Sequence, residues 1–203
     1  MITNTAVFKN AVFGGSFNPP GRHHYHIVSY LLHWFSTITI VPCGISRKDS
    51  LKEVSNAVRK ELVLCNFGKL QYVNIDTYDL DNDVFTPTYD LAKKYQQEYV
   101  DTWHIIGSDL VIGGRSGDSE IQRLWKNGNE IWYTLKFAVV NRSGFDLTME
   151  DLPPQSVFFK EYEVSGSSQI IRERIARNED VSGRLQPEVY KLIKDKKLYQ
   201  TPS

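Results

Sequence analysis

The chain has 203 residues, and 24 Lys and Arg balance 24 Asp and Glu, so its formal net charge is zero. A balanced charge argues against bulk binding to nucleic acid, and no stretch approaches the roughly 18 consecutive apolar residues of a membrane span. The two cysteines, Cys43 and Cys65, form no CxxC pair and no zinc spacing. The N-terminal residues also show no secretory signal. The two isolated cysteines therefore predict a cytoplasmic protein with reduced thiols.

Short apolar runs alternate with segments of helical periodicity along the chain. Strands are predicted over 9–14, 37–43, 71–76, 102–106, a run ending near Asn141, and 156–164. Helices are predicted over 24–35, 55–67, 86–99, 119–132, 167–178 and 186–199. Because strands alternate with helices of this length, we predict an α/β fold with a doubly wound parallel sheet. We expect one domain over 1–203, with a small helical C-terminal subregion over 165–203.

The stretch GGSFNPPGRHH, residues 14–24, lies between the first predicted strand and the first predicted helix. Glycines there let the backbone approach a ligand, and the free amides of a helix start favour phosphate. His23 and His26 are three residues apart, but no further ligand is near, so no zinc site is expected. Taken alone, the stretch is equally consistent with a glycine–proline turn that carries surface histidines.

Other candidate ligand-binding residues follow later in the chain. Ser167 and Ser168 stand where N-cap residues belong, and Arg172 follows one turn later, which is typical of an anion site or of an ordinary capped helix. The turn 107–109 and Lys48 both come just after predicted strands, where ligands of doubly wound sheets bind. The motifs GxGxxG and GxxxxGK[ST] are both missing, so a dinucleotide fingerprint and a P-loop are not expected.

Taken together and in this order, the motifs resemble those of the nicotinate/nicotinamide mononucleotide adenylyltransferases of the nucleotidyltransferase superfamily. That family carries GGSFNPPHxGH, a lysine after the second strand, Gly-x-Asp after the fourth, a tryptophan, an RPG turn and SSTxIR. The counterparts here are GGSFNPP with His24, Lys48, GSD at 107–109, Trp125, NRSG at 141–144, and SSQIIR at 167–172. The resemblance spans the chain from about residue 12 to 199 and implies a Rossmann-like nucleotidyltransferase fold.

The HxGH motif of that family is altered in this chain. Without gaps, Gly21-Arg22-His23-His24 occupies it, so the first histidine has become a glycine and the glycine has become His23. A two-residue insertion would make His23 and His26 the pair. Positions +1, +3, +4 and +7 are apolar or aromatic when counted from His24 but not from His26, which favours His24. His23 is then a candidate for the imidazole that Gly21 lacks.

The resemblance implies that a mononucleotide phosphate attacks the α-phosphorus of ATP, releasing pyrophosphate and forming a dinucleotide. Such chemistry depends on positioning and charge stabilisation. The implied catalytic residues are His24, His23, Lys48 and Arg172. The implied ATP-binding residues are Gly14, Gly15, Ser16, Phe17, Gly107, Asp109, Ser167 and Ser168. Those implied for the mononucleotide are Thr86, in a segment that only approximates the family's YTxxTL, and Trp125, which alone would be taken as core.

The implied partners are ATP and nicotinate or nicotinamide mononucleotide, with no nucleic acid and no membrane; a homo-oligomer is left open. Mg²⁺ is expected to accompany the ATP phosphates, without a protein cage and without metal-ligating residues. Two alternatives also stay open. In the first, the protein is a related enzyme that transfers a nucleotidyl group to another phosphorylated metabolite, such as phosphopantetheine. In the second, which the altered HxGH motif allows, it is a non-catalytic nucleotide-binding relative.

Overall fold

A six-stranded parallel sheet forms the centre of the structure, a computed structural model that describes residues 8–44, 54–98 and 101–200. The strands are β1 (Phe8–Gly15), β2 (Phe35–Pro42), β3 (Val73–Ile75), β4 (Thr102–Gly107), β5 (Lys136–Arg142) and β6 (Ser156–Val164). Their order is β3-β2-β1-β4-β5-β6, and every neighbouring pair is parallel. The predicted doubly wound α/β fold is confirmed.

Helices connect the strands and follow the last of them. They are α1 (Arg22–Leu31), α2 (Asn56–Phe67), α3 (Tyr78–Asn82), α4 (Thr88–Glu98), α5 (Glu120–Leu124), α6 (Gly128–Thr134), α7 (Ser168–Ala176) and α8 (Pro187–Asp195). The prediction of one helix over 119–132 is wrong, because Asn127 takes a left-handed φ of 54° and separates α5 from α6. The five-residue α3 was not predicted, since its polar sequence has no apolar period.

Apolar faces of the helices cover both sides of the sheet. α1 buries Ile27, Val28 and Leu31 in the cluster around β1 and β2, as its periodicity predicts. A second cluster joins α2 to α7 and α8, so the C-terminal helices pack against the helix that follows β2. In the described part of the chain, no helix has the length and apolar character that a membrane crossing requires.

Helix α2 buries a wider face than its sequence suggested. Of the predicted stripe, Leu62 is buried, and Val58 and Cys65 are half-buried against the same cluster. The buried residues of the helix are Arg59, Leu62, Val63, Asn66 and Phe67. These five positions also recur at helical spacing, but two of them are polar, which hid the stripe from a reading by hydrophobicity. The buried arginine reaches the loop after β1, where it donates to the Ser16 carbonyl.

The strand order reverses between β1 and β4. β1 pairs with β2 on one side and with β4 on the other, so successive connections lead away from this point in opposite directions. The loops that leave β1 and β4 therefore separate above the sheet and form a crevice at its carboxyl edge. These two loops carry the glycine-rich stretch and the Gly107–Asp109 turn.

Candidate active site

The loop after β1 is tightly folded against the start of α1. The strand ends with Gly14 and Gly15, and Ser16 then leads into Phe17, which is buried and has a φ of 44°. The Phe17 ring makes edge contacts with the rings of Phe67 and His24, at centroid distances of 5.6 and 5.1 Å. The four predicted residues 14–17 thus lie together at the switch point, next to His24.

The C-terminal part of the chain holds this loop in place. Arg172 Nη1 donates to the Asn18 carbonyl at 2.7 Å, and Ser168 Oγ donates to the Pro19 carbonyl at 2.8 Å. The hydroxyl of Tyr199 donates to the Asn18 side-chain oxygen. Ser167 is the N-cap of α7, where its hydroxyl accepts from the Gln169 amide at 3.2 Å. The structure therefore brings the two predicted anion-binding motifs together.

A buried arginine supports the same loop from the other side. Arg59 is 1% exposed, and its guanidinium donates to the carbonyls of Ser16 (3.1 Å) and Gly44 and to the Asn56 side chain. It thereby links the loop after β1 to the end of β2. Sequence reasoning missed Arg59, because hydrophobic periodicity gives no signal for an arginine that tertiary packing buries.

Two histidine rings stack at the start of α1. His24 Nδ1 accepts from the Gly21 amide at 3.0 Å, so the ring hydrogen of neutral His24 is on Nε2 and is available to a ligand. The His23 ring lies against it, with centroids 3.9 Å apart. Burial lowers the pKa of His24 well below its usual value, and it lowers the pKa of His23 to about 4, with Arg142 adding to both effects. Both rings are therefore neutral donors near neutral pH.

The turn after β4 presents a carboxylate to the crevice. Asp109 Oδ2 accepts from Arg142 Nη1 at 2.7 Å, while Oδ1 is buried and has no hydrogen-bond partner among the residues described. Ser108 Oγ accepts from the Arg142 amide at 2.9 Å, which ties this turn to the end of β5. Gly107 closes β4 directly before the turn. Arg142 is a second missed residue, and its place in the NRSG turn was the signal for it.

A cavity of about 480 Å³ lies beside His23, between the starts of α1 and α7 and the turn 182–184. Arg22, Arg174 and Arg184 line it, with Asp180 as the one acidic lining residue among those described. Arg174 is also paired with Glu179 at 3.5 Å. The excess of guanidinium groups makes this cavity suitable for a ligand with several negative charges.

The remaining predicted residues lie elsewhere. The amide and hydroxyl of Thr86 donate to the two oxygens of buried Asp79, at 2.8 and 2.6 Å, so this side chain orders the segment before α4. Trp125 follows α5 directly and packs, half-buried, against the cluster around β4, β5 and α6. Lys48 lies outside the described residues. The roles of these three residues stay predictions.

The sequence matches the model of the family described as cytidylyltransferase-like over residues 12–174. A curated relative from Clostridium acetobutylicum, named "Probable nicotinate-nucleotide adenylyltransferase", is 28% identical over 206 residues, covering 94% of this chain and 98% of its own. A relative of the same name from Fusobacterium nucleatum is 29% identical and covers 91% and 96%. The solved nicotinic acid mononucleotide adenylyltransferase of Plasmodium falciparum complexed with NaAD has a TM-score of 0.74 at 21% identity, covering 95% of this chain and 97% of that one.

At that identity, the likeness to the Plasmodium structure concerns the fold, and it agrees with the parallel sheet and the crevice at its switch point. The family match covers four-fifths of the chain and includes the loop after β1, the Gly107–Asp109 turn and the start of α7. The motifs noted in the sequence thus fall within one continuous match. The chain belongs to the cytidylyltransferase-like family.

Proposed function

We propose that the protein joins ATP and nicotinate mononucleotide, forming the dinucleotide and releasing pyrophosphate, as a step in NAD synthesis. One observation carries this proposal: the loop after β1, His24 and the start of α7 meet at the switch point, where Arg172 contacts Asn18. Relatives named for this activity align with nearly the whole chain. Their names favour the acid over the amide as the mononucleotide.

The reaction needs positioned donors more than a protein nucleophile. A phosphate oxygen of the mononucleotide attacks the α-phosphorus of ATP, a new P–O bond forms, and the bond to the bridging oxygen breaks. Pyrophosphate leaves with that electron pair, so negative charge grows on the α-phosphate oxygens and on the leaving group. The Nε2–H of His24 is a fixed donor for this charge, because its Nδ1 is held by the Gly21 amide.

Cationic and backbone groups would assist that donor. The backbone of Gly14, Gly15, Ser16 and Phe17 would approach the α-phosphate, as glycines at the end of a strand allow. Arg172, one hydrogen bond away from this loop, would neutralise phosphate charge together with Lys48. The hydroxyls of Ser167 and Ser168 would serve as further polar contacts at the start of α7.

The adenosine end of ATP would lie against the turn after β4. The free Oδ1 of Asp109 is a buried acceptor that a ribose hydroxyl can satisfy, while Oδ2 stays on Arg142. Gly107 leaves room beside this carboxylate, since a Cβ atom there would lie 2.3 Å from Asp109 Oδ1. This contact would hold the nucleoside at the switch point, where ligands of such sheets bind.

The mononucleotide would bind on the side of Trp125 and Thr86, the first stacking on the pyridine ring and the second lying near its carboxylate. Mg²⁺ would arrive with ATP and be held by the phosphates, because this ion keeps most of its water and binds substrate phosphate. The two unpaired cysteines support a cytoplasmic location for the protein.

An assay with separate substrates tests this function. The protein is incubated with ATP, Mg²⁺ and either nicotinate or nicotinamide mononucleotide, and the dinucleotide and pyrophosphate are quantified. We expect both products, with the higher kcat/KM for the acid. A parallel reaction with phosphopantetheine tests the other metabolite class. ATP binding with no pyrophosphate from any of these substrates would contradict the proposal and favour a non-catalytic binding protein.

A further inference from the structure

The His23 ring occupies the space in which a side chain of residue 21 would begin. A Cβ atom placed on Gly21 would lie 2.5 Å from both Cε1 and Nδ1 of His23. Side chains in an α-helix tilt toward its N-terminus, so the side chain of the second residue of α1 folds back over the N-cap, Gly21. An imidazole therefore fills the place that the glycine leaves open.

A second glycine, in the segment before α7, also lies against the His23 ring. Gly166, just before α7, has a φ of +153°, and a Cβ atom there would lie 2.5 Å from His23 Cγ. Any side chain at residue 21 or 166 would displace the ring, and the conformation of Gly166 is one that other residues rarely adopt. Two glycines and His24 thus hold His23 between the loop after β1 and the start of α7.

We propose that His23 and Gly21 have exchanged the roles of the histidine and glycine in HxGH, so that His23 contributes the motif's first imidazole from two positions further along α1. This inference rests on the proposed function and names a second phosphate-binding ring for it. His23 lies at 3.9 Å from the His24 ring and also lines the arginine-rich cavity. It donates a hydrogen bond from a ring N–H to phosphate, and no proton needs to be transferred.

The exchange makes a prediction that a structural role for His23 does not make. If Gly21 is small because His23 needs its space, a histidine at 21 is harmful while His23 is present and useful once residue 23 is glycine. The effects of the two substitutions are then strongly non-additive, as expected for residues in contact. If His23 only fills space, Gly21→Leu/His23→Gly, which fills the same space without a donor, restores turnover as well as a histidine at 21 does. That variant is therefore measured beside the proteins below, and equal turnover with leucine and with histidine at 21 would overturn the proposal.

Four proteins test this: the unmodified chain, His23→Gly, Gly21→His and the double variant Gly21→His/His23→Gly. We expect His23→Gly to lower kcat on the order of 10²-fold, as the loss of one transition-state donor does. Gly21→His should also be impaired, because its side chain meets the His23 ring. The double variant should return to within about tenfold of the unmodified kcat. A double variant no better than His23→Gly, or a His23→Gly variant with unmodified kcat, would overturn the exchange.

His26→Gly is the matched control for a glycine in the same helix. His26 is exposed and lines the same cavity, so this variant measures the propensity cost of about 1 kcal/mol together with the loss of a neighbouring imidazole, while the His23 ring stays in place. Thermal melting of all variants checks folding, and His23→Ala repeats the test with smaller helix destabilisation. Should the unmodified protein form no dinucleotide, the proposed function fails separately, and pyrophosphate affinity by calorimetry then decides the exchange. A weaker pyrophosphate affinity in His23→Gly that the double variant restores supports the exchange. Equal pyrophosphate affinities in all the variants contradict it.

Discussion

Asp109 and Arg142 form an ion pair in which one carboxylate oxygen is engaged and the other is not. A buried acceptor without a partner costs roughly 1–3 kcal/mol, which a ligand hydroxyl can recover on binding. The two oxygens of the carboxylate therefore differ: Arg142 fixes the orientation of the group through Oδ2, and Oδ1 is the acceptor that the proposed function assigns to ATP. The histidines show the same division, since Nδ1 of His24 is fixed and Nε2 is free.

Replacing Asp109 by Asn exchanges one acceptor for a donor at nearly constant shape. We expect the KM for ATP to rise about tenfold to a hundredfold, in line with the loss of a hydrogen bond to a charged group, with a smaller change in kcat. Steady-state kinetics with varied ATP measure this, and Asp118→Asn, at an exposed position soon after the same turn, is the control. An unchanged KM would remove Asp109 from the ATP site.

The two alignments of the histidine motif make opposite predictions for single substitutions. His24→Ala should lower kcat by orders of magnitude, because it removes the oriented Nε2 donor and the partner of the Gly21 amide. His26→Ala should change little, since His26 is exposed on α1. Turnover of the dinucleotide product is measured for both, and the reverse ranking would favour the alignment with an insertion.

At the scale of elements, α2 connects the loop after β1 with the end of β2 through one buried side chain. Arg59 is fully buried, and its donors lie on carbonyls from both segments. A change on the helix therefore reaches the loop after β1. α7 acts on the same loop from the other side through Arg172 and Ser168.

Arg59→Met keeps much of the side-chain volume and removes every donor. We expect the free energy of unfolding to fall by about 3 kcal/mol, because buried carbonyls lose their partners. Urea denaturation followed by circular dichroism measures the change. Lys60→Met is the control on the same helix, since its partly exposed pair with Asp81 should contribute about 1 kcal/mol or less. Equal losses in the two variants would argue against the supporting role of Arg59.

The elements were largely predictable from apolar periodicity, and the exceptions have local causes. The bounds of β6 were predicted to the residue, whereas the break between α5 and α6 depends on the left-handed Asn127. The family resemblance assigned the first loop and the start of α7 to the same ligand, and the two segments do meet. The support from Arg59 and Tyr199 was not predictable in this way, because it depends on which polar side chains tertiary packing buries.

For the whole molecule, buried histidines make stability depend on pH. Burial lowers the pKa of His104, a core residue of β4, to about 4 from its usual 6.5. The unfolded chain then binds more protons than the folded one at mildly acidic pH, so this contribution is complete above about pH 6.5 and is lost as the pH falls toward 4. His23 acts in the same direction.

His104→Gln retains a polar side chain that does not titrate. Between pH 7 and about pH 4.5, the unmodified protein should lose roughly 2–3 kcal/mol more unfolding free energy than the variant. Urea titrations at the two pH values measure the difference, and the variant's stability at pH 7 serves as its own reference. Parallel losses in both proteins would show that His104 does not carry the effect.

The anchoring of the first loop also determines when the site can form during synthesis. Asn18 is fully buried, and its hydrogen-bond partners Arg172 and Tyr199 are 154 and 181 positions further along the chain. A ribosome completes the glycine-rich loop early, but these partners leave the exit tunnel only with the last helices. The glycine-rich loop thus stays without these supports until residues 172 and 199 have been synthesised, and a product that ends before them lacks the assembled loop.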